Sequence, residues 1–200
     1  MNLFKKIAKW AGVTILVLFL GVVVYRGFLL NNQKKTDAVV AKIHATKLTL
    51  DDVMGKDLPP PPGDRADVTV VGVDANANGI RDDVELAIFE KYPNSAKKRA
   101  VSLQYALALQ MEFTQPFVNT DIVVAVSQEG DRASLCTTEI LSRSNLERFF
   151  KESDELVEFV EKLHSNTEHR QEFQKSFYDQ IGSYSSLDPY CDIDYSKLPD

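Results

Sequence analysis

Apolar residues divide the chain into one long apolar run near the N-terminus and a larger part in which apolar positions recur with helical spacing. The run extends from Trp10 through Tyr25, is interrupted by Arg26 and continues to Leu30. As a helix it spans about 30 Å, enough to cross a bilayer, with Arg26 extended towards the interface. A cleaved signal peptide has a similar arrangement, but no convincing small-x-small cleavage motif follows. We therefore interpret residues 10–30 as a transmembrane signal anchor and residues 1–9 as a cytoplasmic N-terminus.

Residues 31–63 have the composition of a stalk and a Pro-rich linker. Residues 49–54 are compatible with one capped helical turn that ends at Gly55. The run Pro59–Pro62 predicts a stiff spacer of about 12 Å. A PxxP recognition segment is the alternative, although a linker fits better beside a membrane anchor. This run marks the start of a separate domain over residues 64–200.

Apolar residues in that domain repeat at intervals of three and four, which predicts a mainly α-helical fold of about five helices. Ser95 is a candidate N-cap, Pro116 a helix breaker and Gly182 a helix stop. Periodicity does not distinguish strand from helix in the third segment, whereas the β-branched stretch 68–73 predicts a short extended segment. The predicted helical segments are 84–92, 95–115, 146–163 (capped by Ser144 or Asn145) and 167–181, and the third segment, 121–141, is left open between helix and strand.

The twelve residues 74–85 match the pattern D-x-[DN]-x-[DN]-G-x5-E of an EF-hand-like calcium loop. Ca²⁺ takes six to eight oxygen ligands, which such a loop supplies from positions 1, 3, 5, 7, 9 and 12. Gly79 occupies position 6, where the chain turns sharply and a positive φ favours glycine. The predicted metal ligands are Asp74, Asn76, Asn78, the carbonyl of Ile80, Asp82 directly or through water, and a bidentate Glu85.

The loop departs from a helix-loop-helix EF-hand in two respects. Position 8 is Arg81 rather than an apolar residue, and the preceding segment is predicted to be extended. In this it resembles the DxDxDG loops of thrombospondin type 3 and related bacterial calcium-binding segments. The alternative is an Asn78-Gly79 turn followed by a helix whose acidic first turn favours the helix dipole.

The ligand set and the two cysteines both favour an extracytoplasmic location for the domain. Three carboxylates and two neutral amides predict weak binding, of order 10⁻⁵ to 10⁻³ M, which scarce cytosolic calcium would not saturate. Cys136 and Cys191 are an even pair that can form one disulfide in an oxidising compartment, two buried thiols being the alternative. We expect a single-pass inner-membrane protein whose domain lies in the periplasm or extracytoplasmic space.

Two further motifs extend the resemblance beyond the loop, Leu58-Pro59-Pro60 and the Asn-Thr-x-x-Arg turn at 166–170. Together with the loop 72–85, they resemble a group of uncharacterised bacterial secreted or anchored proteins that have the same calcium loop. This resemblance implies export and calcium binding but no activity.

Charge and the motif search limit the functional classes. Residues 36–200 carry 17 basic and 29 acidic residues, a net charge of −12 that disfavours nucleic acid and anionic lipid. The sequence contains no nucleophile elbow, phosphate loop, His-Glu-x-x-His or Cys-x-x-Cys motif. His164 and His169 are five residues apart and are interpreted as surface histidines.

We therefore expect a non-enzymatic, membrane-anchored domain with a structural calcium site. Its expected role is interaction with an envelope protein or envelope architecture. A calcium-responsive regulator is the first alternative. An enzyme is the second, and a buried cluster of carboxylates or histidines in a cleft would favour it.

Overall fold

The computed structural model describes residues 2–199, with side chains from Lys5 onward, and within that range it contains seven α-helices and no β-strand. The mainly helical fold class predicted from the sequence is therefore confirmed, although the number of helices exceeds five. The chain forms two compact units, Met1–Val39 and Val40–Asp200, which are described separately below.

Most of helix α1 (Asn2–Ala45) belongs to the first unit. Its apolar stretch has a mean hydropathy of 2.4, and none of that stretch is buried inside the protein. Trp10 and Phe19, for example, are 70% and 62% exposed. This one helix is long and apolar enough to cross a membrane, as the sequence predicts.

Helix α4 (Ala96–Thr114) is the centre of the second unit. It is buried on nearly all sides, as expected for a helix surrounded by others. The surrounding helices are α2 (Leu50–Met54), α3 (Asp82–Lys91), α5 (Thr120–Glu139), α6 (Leu146–His164) and α7 (Glu168–Tyr178).

Polar side chains on α4 hold the surrounding segments through hydrogen bonds to their backbone. Each is buried and donates to a carbonyl that has no partner in a regular helix. The result is a helix whose apolar residues fill the core while its polar residues fix the connecting loops. These bonds join Arg99 to the carbonyl of Val53 (3.1 Å), Gln104 to that of Tyr190 (2.7 Å) and Gln110 to that of Val71 (2.7 Å).

Short polar side chains begin the helices by accepting hydrogen bonds from the first-turn backbone N–H groups. Ser95 caps α4 as predicted, and Asn145 rather than Ser144 caps α6. Thr49 and Asp52 form a reciprocal capping box on α2, which ends at Gly55 with φ 68°. The capped turn expected in this region is therefore a helix of five residues.

The region assigned from the sequence to the stalk and linker contributes to the core of the second unit. Ile43, Leu48 and Val53 are 3%, 5% and 0% exposed, and Pro59 and Pro62 are also buried. The second unit accordingly begins at Val40 rather than after the prolines.

Two local predictions differ from the structure, and one segment that the sequence left open is a helix. Residues 68–73 form bends and loops instead of an extended strand. The segment whose periodicity did not distinguish strand from helix is α5, which continues as a helix through Gly130. Helix α7 ends at Tyr178, before Gly182. Gly182 packs against α5 instead, where an added Cβ would lie 3.0 Å from Thr120 Cγ2.

A disulfide and an ionic cluster hold the C-terminal segment against α5. The sulfur atoms of Cys136 and Cys191 lie at bonding distance, 2.05 Å, so the predicted pairing is confirmed. Beside them, the buried Arg132 donates to Asp192 Oδ1 (2.6 Å), and the amide of Asp192 donates to Gln104 Oε1 (2.9 Å). A covalent bond and buried polar contacts therefore act on the same few residues.

Candidate metal centre

Residues 74–85 form a closed loop between the irregular segment 68–73 and helix α3. The loop is closed by a hydrogen bond from the Asp82 amide to the Val73 carbonyl (2.8 Å). Gly79 has φ 85°, in the left-handed region that the predicted sharp turn requires. It also lies against α4, since an added Cβ would be 2.8 Å from Leu107 Cδ1. Both conformation and packing therefore favour glycine here.

The acidic side chains of the loop accept hydrogen bonds from its own backbone and amides. Asp74 accepts from the amides of Asn78 (3.2 Å) and Gly79 (2.9 Å). Asp82 Oδ1 accepts from the amide of Ala75 (2.9 Å). These bonds place the carboxylates from the two ends of the loop towards its interior.

Two amide side chains also form hydrogen bonds within the loop. Asn76 Nδ2 donates to Glu85 Oε2 (3.1 Å), and Asn78 Oδ1 accepts from the amide of Ile80 (2.9 Å). Ile80 is fully buried and anchors the middle of the loop in the core. The six residues predicted as ligands thus belong to one hydrogen-bonded loop.

Several polar atoms in the loop are buried without a hydrogen-bond partner. Two are oxygens, Asn76 Oδ1 and Asp82 Oδ2, and the third is the donor Asn78 Nδ2. A buried acceptor without a partner costs free energy, about 1–3 kcal/mol. A cation between the two oxygens would satisfy both, whereas it would not satisfy the amide nitrogen.

Burial makes these carboxylates unfavourable as isolated anions. Asp82 and Glu85 are 0% and 1% exposed. Burial raises the pKa of Glu85 to about 7, and it also raises the pKa of Asp74. A hard divalent cation would counter this cost, because it favours the ionised carboxylates and prefers oxygen ligands. The residues present therefore fit calcium.

The loop is not a cluster of acidic side chains alone. In the part of the chain that the structure describes, no group of three or more His, Cys, Asp and Glu side chains is placed to hold a metal ion. Half of the predicted ligands here are amide or carbonyl oxygens, which such a group does not include. The features that fit a metal ion are the mixed set of oxygen ligands and the two oxygens without a hydrogen-bond partner.

Arg81, the unusual residue at position 8, links the loop to the end of α6. Its side chain is fully buried and pairs with Asp83 (2.7 Å). It also donates to the carbonyls of Leu163 (2.8 Å) and His164 (3.3 Å). These carbonyls belong to the last turn of α6, which lacks helical donors. Arg81 therefore connects the candidate site to α6. The charge of Arg81 alone did not reveal this connection.

Arg170 supports the segment that leads into the loop. It is buried and donates to the carbonyls of Ala66 (2.7 Å), Val70 (2.9 Å) and Thr69 (3.2 Å). It also donates to the side chain of Asn166. The Arg of the Asn-Thr-x-x-Arg motif thus holds residues 66–70 in place through hydrogen bonds. In the sequence, the spacing of the motif was the only sign of these contacts.

The interpretation of both histidines as surface residues is wrong for His164. His164 is 2% exposed, stacks on Phe113 with ring centroids 4.4 Å apart, and places Nε2 3.3 Å from Glu112 Oε2. Tyr178 donates to the other oxygen of Glu112 (2.6 Å). The buried Glu112 joins α6 and α7 to α4, which periodicity could not reveal because the three helices are distant in sequence.

Comparison with known proteins found no matching family model, no matching curated protein and no matching solved structure.

Proposed function

We propose that the protein is a membrane-anchored extracytoplasmic domain in which calcium bound by residues 74–85 stabilises the corner between segment 68–73 and α3. The domain serves protein interaction or envelope architecture, without catalysis of its own. The observation that carries the calcium assignment is the pair of buried, unpartnered oxygens, Asn76 Oδ1 and Asp82 Oδ2, beside the buried carboxylate of Glu85.

A structural role for the ion is supported by how firmly the loop is attached to the core. Ile80 and Val84, both within residues 74–85, are 0% and 3% exposed. Arg81 ties it to α6 and Gly79 packs on α4. An ion that neutralises the carboxylates of such a loop strengthens packing already present.

An extracytoplasmic location is supported by three independent features. They are an N-terminal helix able to cross a membrane, a disulfide, and a ligand set too weakly charged for cytosolic calcium concentrations. We place the anchor in the inner membrane and the domain in the periplasm. The net charge of −12 on residues 36–200 favours a protein partner in the envelope over nucleic acid.

A calcium-responsive regulator is the second candidate, and Arg81 is the observation that favours it. Since Arg81 lies between two predicted ligands and binds the last carbonyls of α6, a change in the loop can reach that helix. Hydrogen exchange separates the two functions. A regulator requires calcium to change the protection of the α6 C-terminus, whereas a structural site changes protection mainly in residues 72–86.

Calorimetric titration of calcium into the chelator-stripped full chain in nonionic detergent tests the proposal. We expect one saturable site with a Kd between about 10⁻⁵ and 10⁻³ M. Binding should be lost in Glu85→Gln and retained in Glu90→Gln, which removes an exposed carboxylate from the same helix. Absence of binding at 10 mM calcium would mean that the loop is a capped turn and not a calcium site.

The location is tested separately in cells. Cys136 and Cys191 should react with a maleimide-polyethylene glycol reagent only after reduction of the denatured protein, because export oxidises the pair. Free thiols in freshly trapped cells would contradict export.

A further inference from the structure

A tyrosine-lined cleft lies between α4, α5, α6 and α7. It consists of two cavities, of about 710 Å³ and 260 Å³, that share Tyr105, Leu109 and Tyr178 as lining residues. The larger cavity also contacts Glu161, and the smaller one contacts Asp131 and Tyr184. Small-molecule sites typically have volumes of about 300–1,000 Å³. The larger cavity alone is in that range.

The tyrosine hydroxyl groups of this cleft all have carboxylate partners. Tyr105 donates to Glu161 Oε1 (2.8 Å), and Tyr178 donates to the buried Glu112 (2.6 Å). Burial, and after it a hydrogen bond with Asp131, raise the pKa of Tyr184. Because their protons are committed to anions, these phenol oxygens offer acceptor lone pairs to a ligand.

The same arrangement disfavours acid–base catalysis by the tyrosines. Burial, together with the nearby carboxylates, raises the pKa of Tyr105 and of Tyr178 well above the usual value for tyrosine. Hydroxyl groups that stay protonated at neutral pH cannot serve as bases there. The cleft is therefore better suited to binding than to proton transfer.

The charges around the cleft favour a cationic ligand. Among the described lining residues, the only basic side chain is that of Lys162, and it is paired with Glu158 (3.1 Å). Glu161 and Asp131 are exposed at the two cavities, so each is available to a ligand from solvent. Aromatic faces attract cations as well, which adds to the attraction of the carboxylates.

We infer that this cleft binds an aliphatic amine, with an ammonium group at Glu161 and the hydrocarbon chain against Leu109 and the rings of Tyr105 and Tyr178. A diamine places its second ammonium group at Asp131. Two cavities that each contain one exposed carboxylate and share an apolar and aromatic wall match a molecule with two charged ends and an apolar middle. This inference is independent of calcium binding.

Titration calorimetry on the full chain in nonionic detergent tests it with three probes of similar length. They are 1,4-diaminobutane, 1-aminobutane and the neutral 1,4-butanediol. We expect saturable binding of the diamine, at least tenfold weaker binding of the monoamine, and no binding of the diol at millimolar concentration. Equal binding of the diol, or no saturable binding of the diamine up to 10 mM, would overturn the assignment.

Variants that keep side-chain shape locate the ammonium groups. Glu161→Gln should weaken diamine binding at least tenfold, and Asp131→Asn should reduce it to the level of the monoamine. Glu155→Gln removes an exposed carboxylate from α6 outside both cavities and should bind as the wild type does. Undiminished diamine binding in Glu161→Gln and Asp131→Asn would place the amine elsewhere and refute the site.

The Glu85→Gln variant keeps this test separate from the calcium proposal. It should bind the diamine normally, because Glu85 lines neither cavity. Loss of diamine binding in Glu85→Gln would mean that the amine is held by the loop 74–85, which contradicts the cleft. A calcium-binding failure with normal diamine binding would refute only the calcium proposal.

Discussion

Replacement of Glu85 by Gln should preserve or raise the stability of the calcium-free protein and should remove most of its stabilisation by calcium. In the absence of the ion, the wild type holds a carboxylate that is 1% exposed and whose pKa burial raises from 4.5 to about 7. At pH 8 its ionisation opposes folding by at most about 3 kcal/mol. The isosteric amide carries no charge, so the calcium-free variant should melt at or above the wild-type temperature.

Calcium offsets that difference. With a Kd of about 10⁻⁴ M, 10 mM calcium stabilises the wild type by about 2.7 kcal/mol. For a domain of this size, that free energy corresponds to an increase in melting temperature of roughly 5–10 °C. The variant lacks the bidentate ligand and should show little of this increase, so its melting temperature relative to that of the wild type should fall by most of this amount when calcium is added.

Circular dichroism at 222 nm on the full chain in detergent micelles measures both melting temperatures, after chelation and in 10 mM calcium at pH 8. Glu90→Gln is the control and should follow the wild type in both buffers. Two results would contradict this prediction. One is a chelated Glu85→Gln protein that melts well below the wild type, which would mean that the ionised carboxylate stabilises the empty loop. The other is an unchanged calcium shift in the variant.

Three further predictions concern pH, Arg170 and the disulfide. In the absence of calcium, the free energy of unfolding should fall as pH rises from about 4.5 through 7. The reason is the raised pKa of Glu85, since the folded state then binds this proton more tightly than the unfolded state does. Urea unfolding at several pH values measures this fall, and the contribution of Glu85 should vanish in Glu85→Gln. Arg170→Met should lower the free energy of unfolding by about 3 kcal/mol or more, because the carbonyls of Ala66 and Val70 lose a donor whose side chain is buried. Lys175→Met, on the exposed side of the same helix, should change it by less than about 0.5 kcal/mol. Removal of the disulfide by Cys136→Ser with Cys191→Ser should lower the free energy of unfolding by up to about 4 kcal/mol on the chain-entropy model, since the bond spans 55 residues. An unchanged urea midpoint would show that the ionic contacts of Asp192 hold the C-terminal segment without the disulfide.

Features that depend on local interactions could be predicted from the amino-acid sequence. The apolar run predicted the N-terminal helix, and the three-and-four spacing predicted most of the helical segments. Ser95 and the capped turn before Gly55 were correctly located, because a cap involves residues within one helical turn. The disulfide followed from a count of two cysteines, and the loop pattern led to a hypothesis about calcium that only binding measurements can test.

Hydrogen-bond partners that are distant in the sequence are set by the packing of the folded chain. The β-branched residues of segment 68–73 have strand propensity, yet their carbonyls accept from Arg170 and Gln110, so the segment needs no neighbouring strand. His164 is buried because Glu112, 52 residues earlier, lies beside it. The cleft between α4, α5, α6 and α7 likewise joins residues from four helices. Local propensity acts over a few residues, whereas the satisfaction of buried polar groups depends on which segments the packed core brings together.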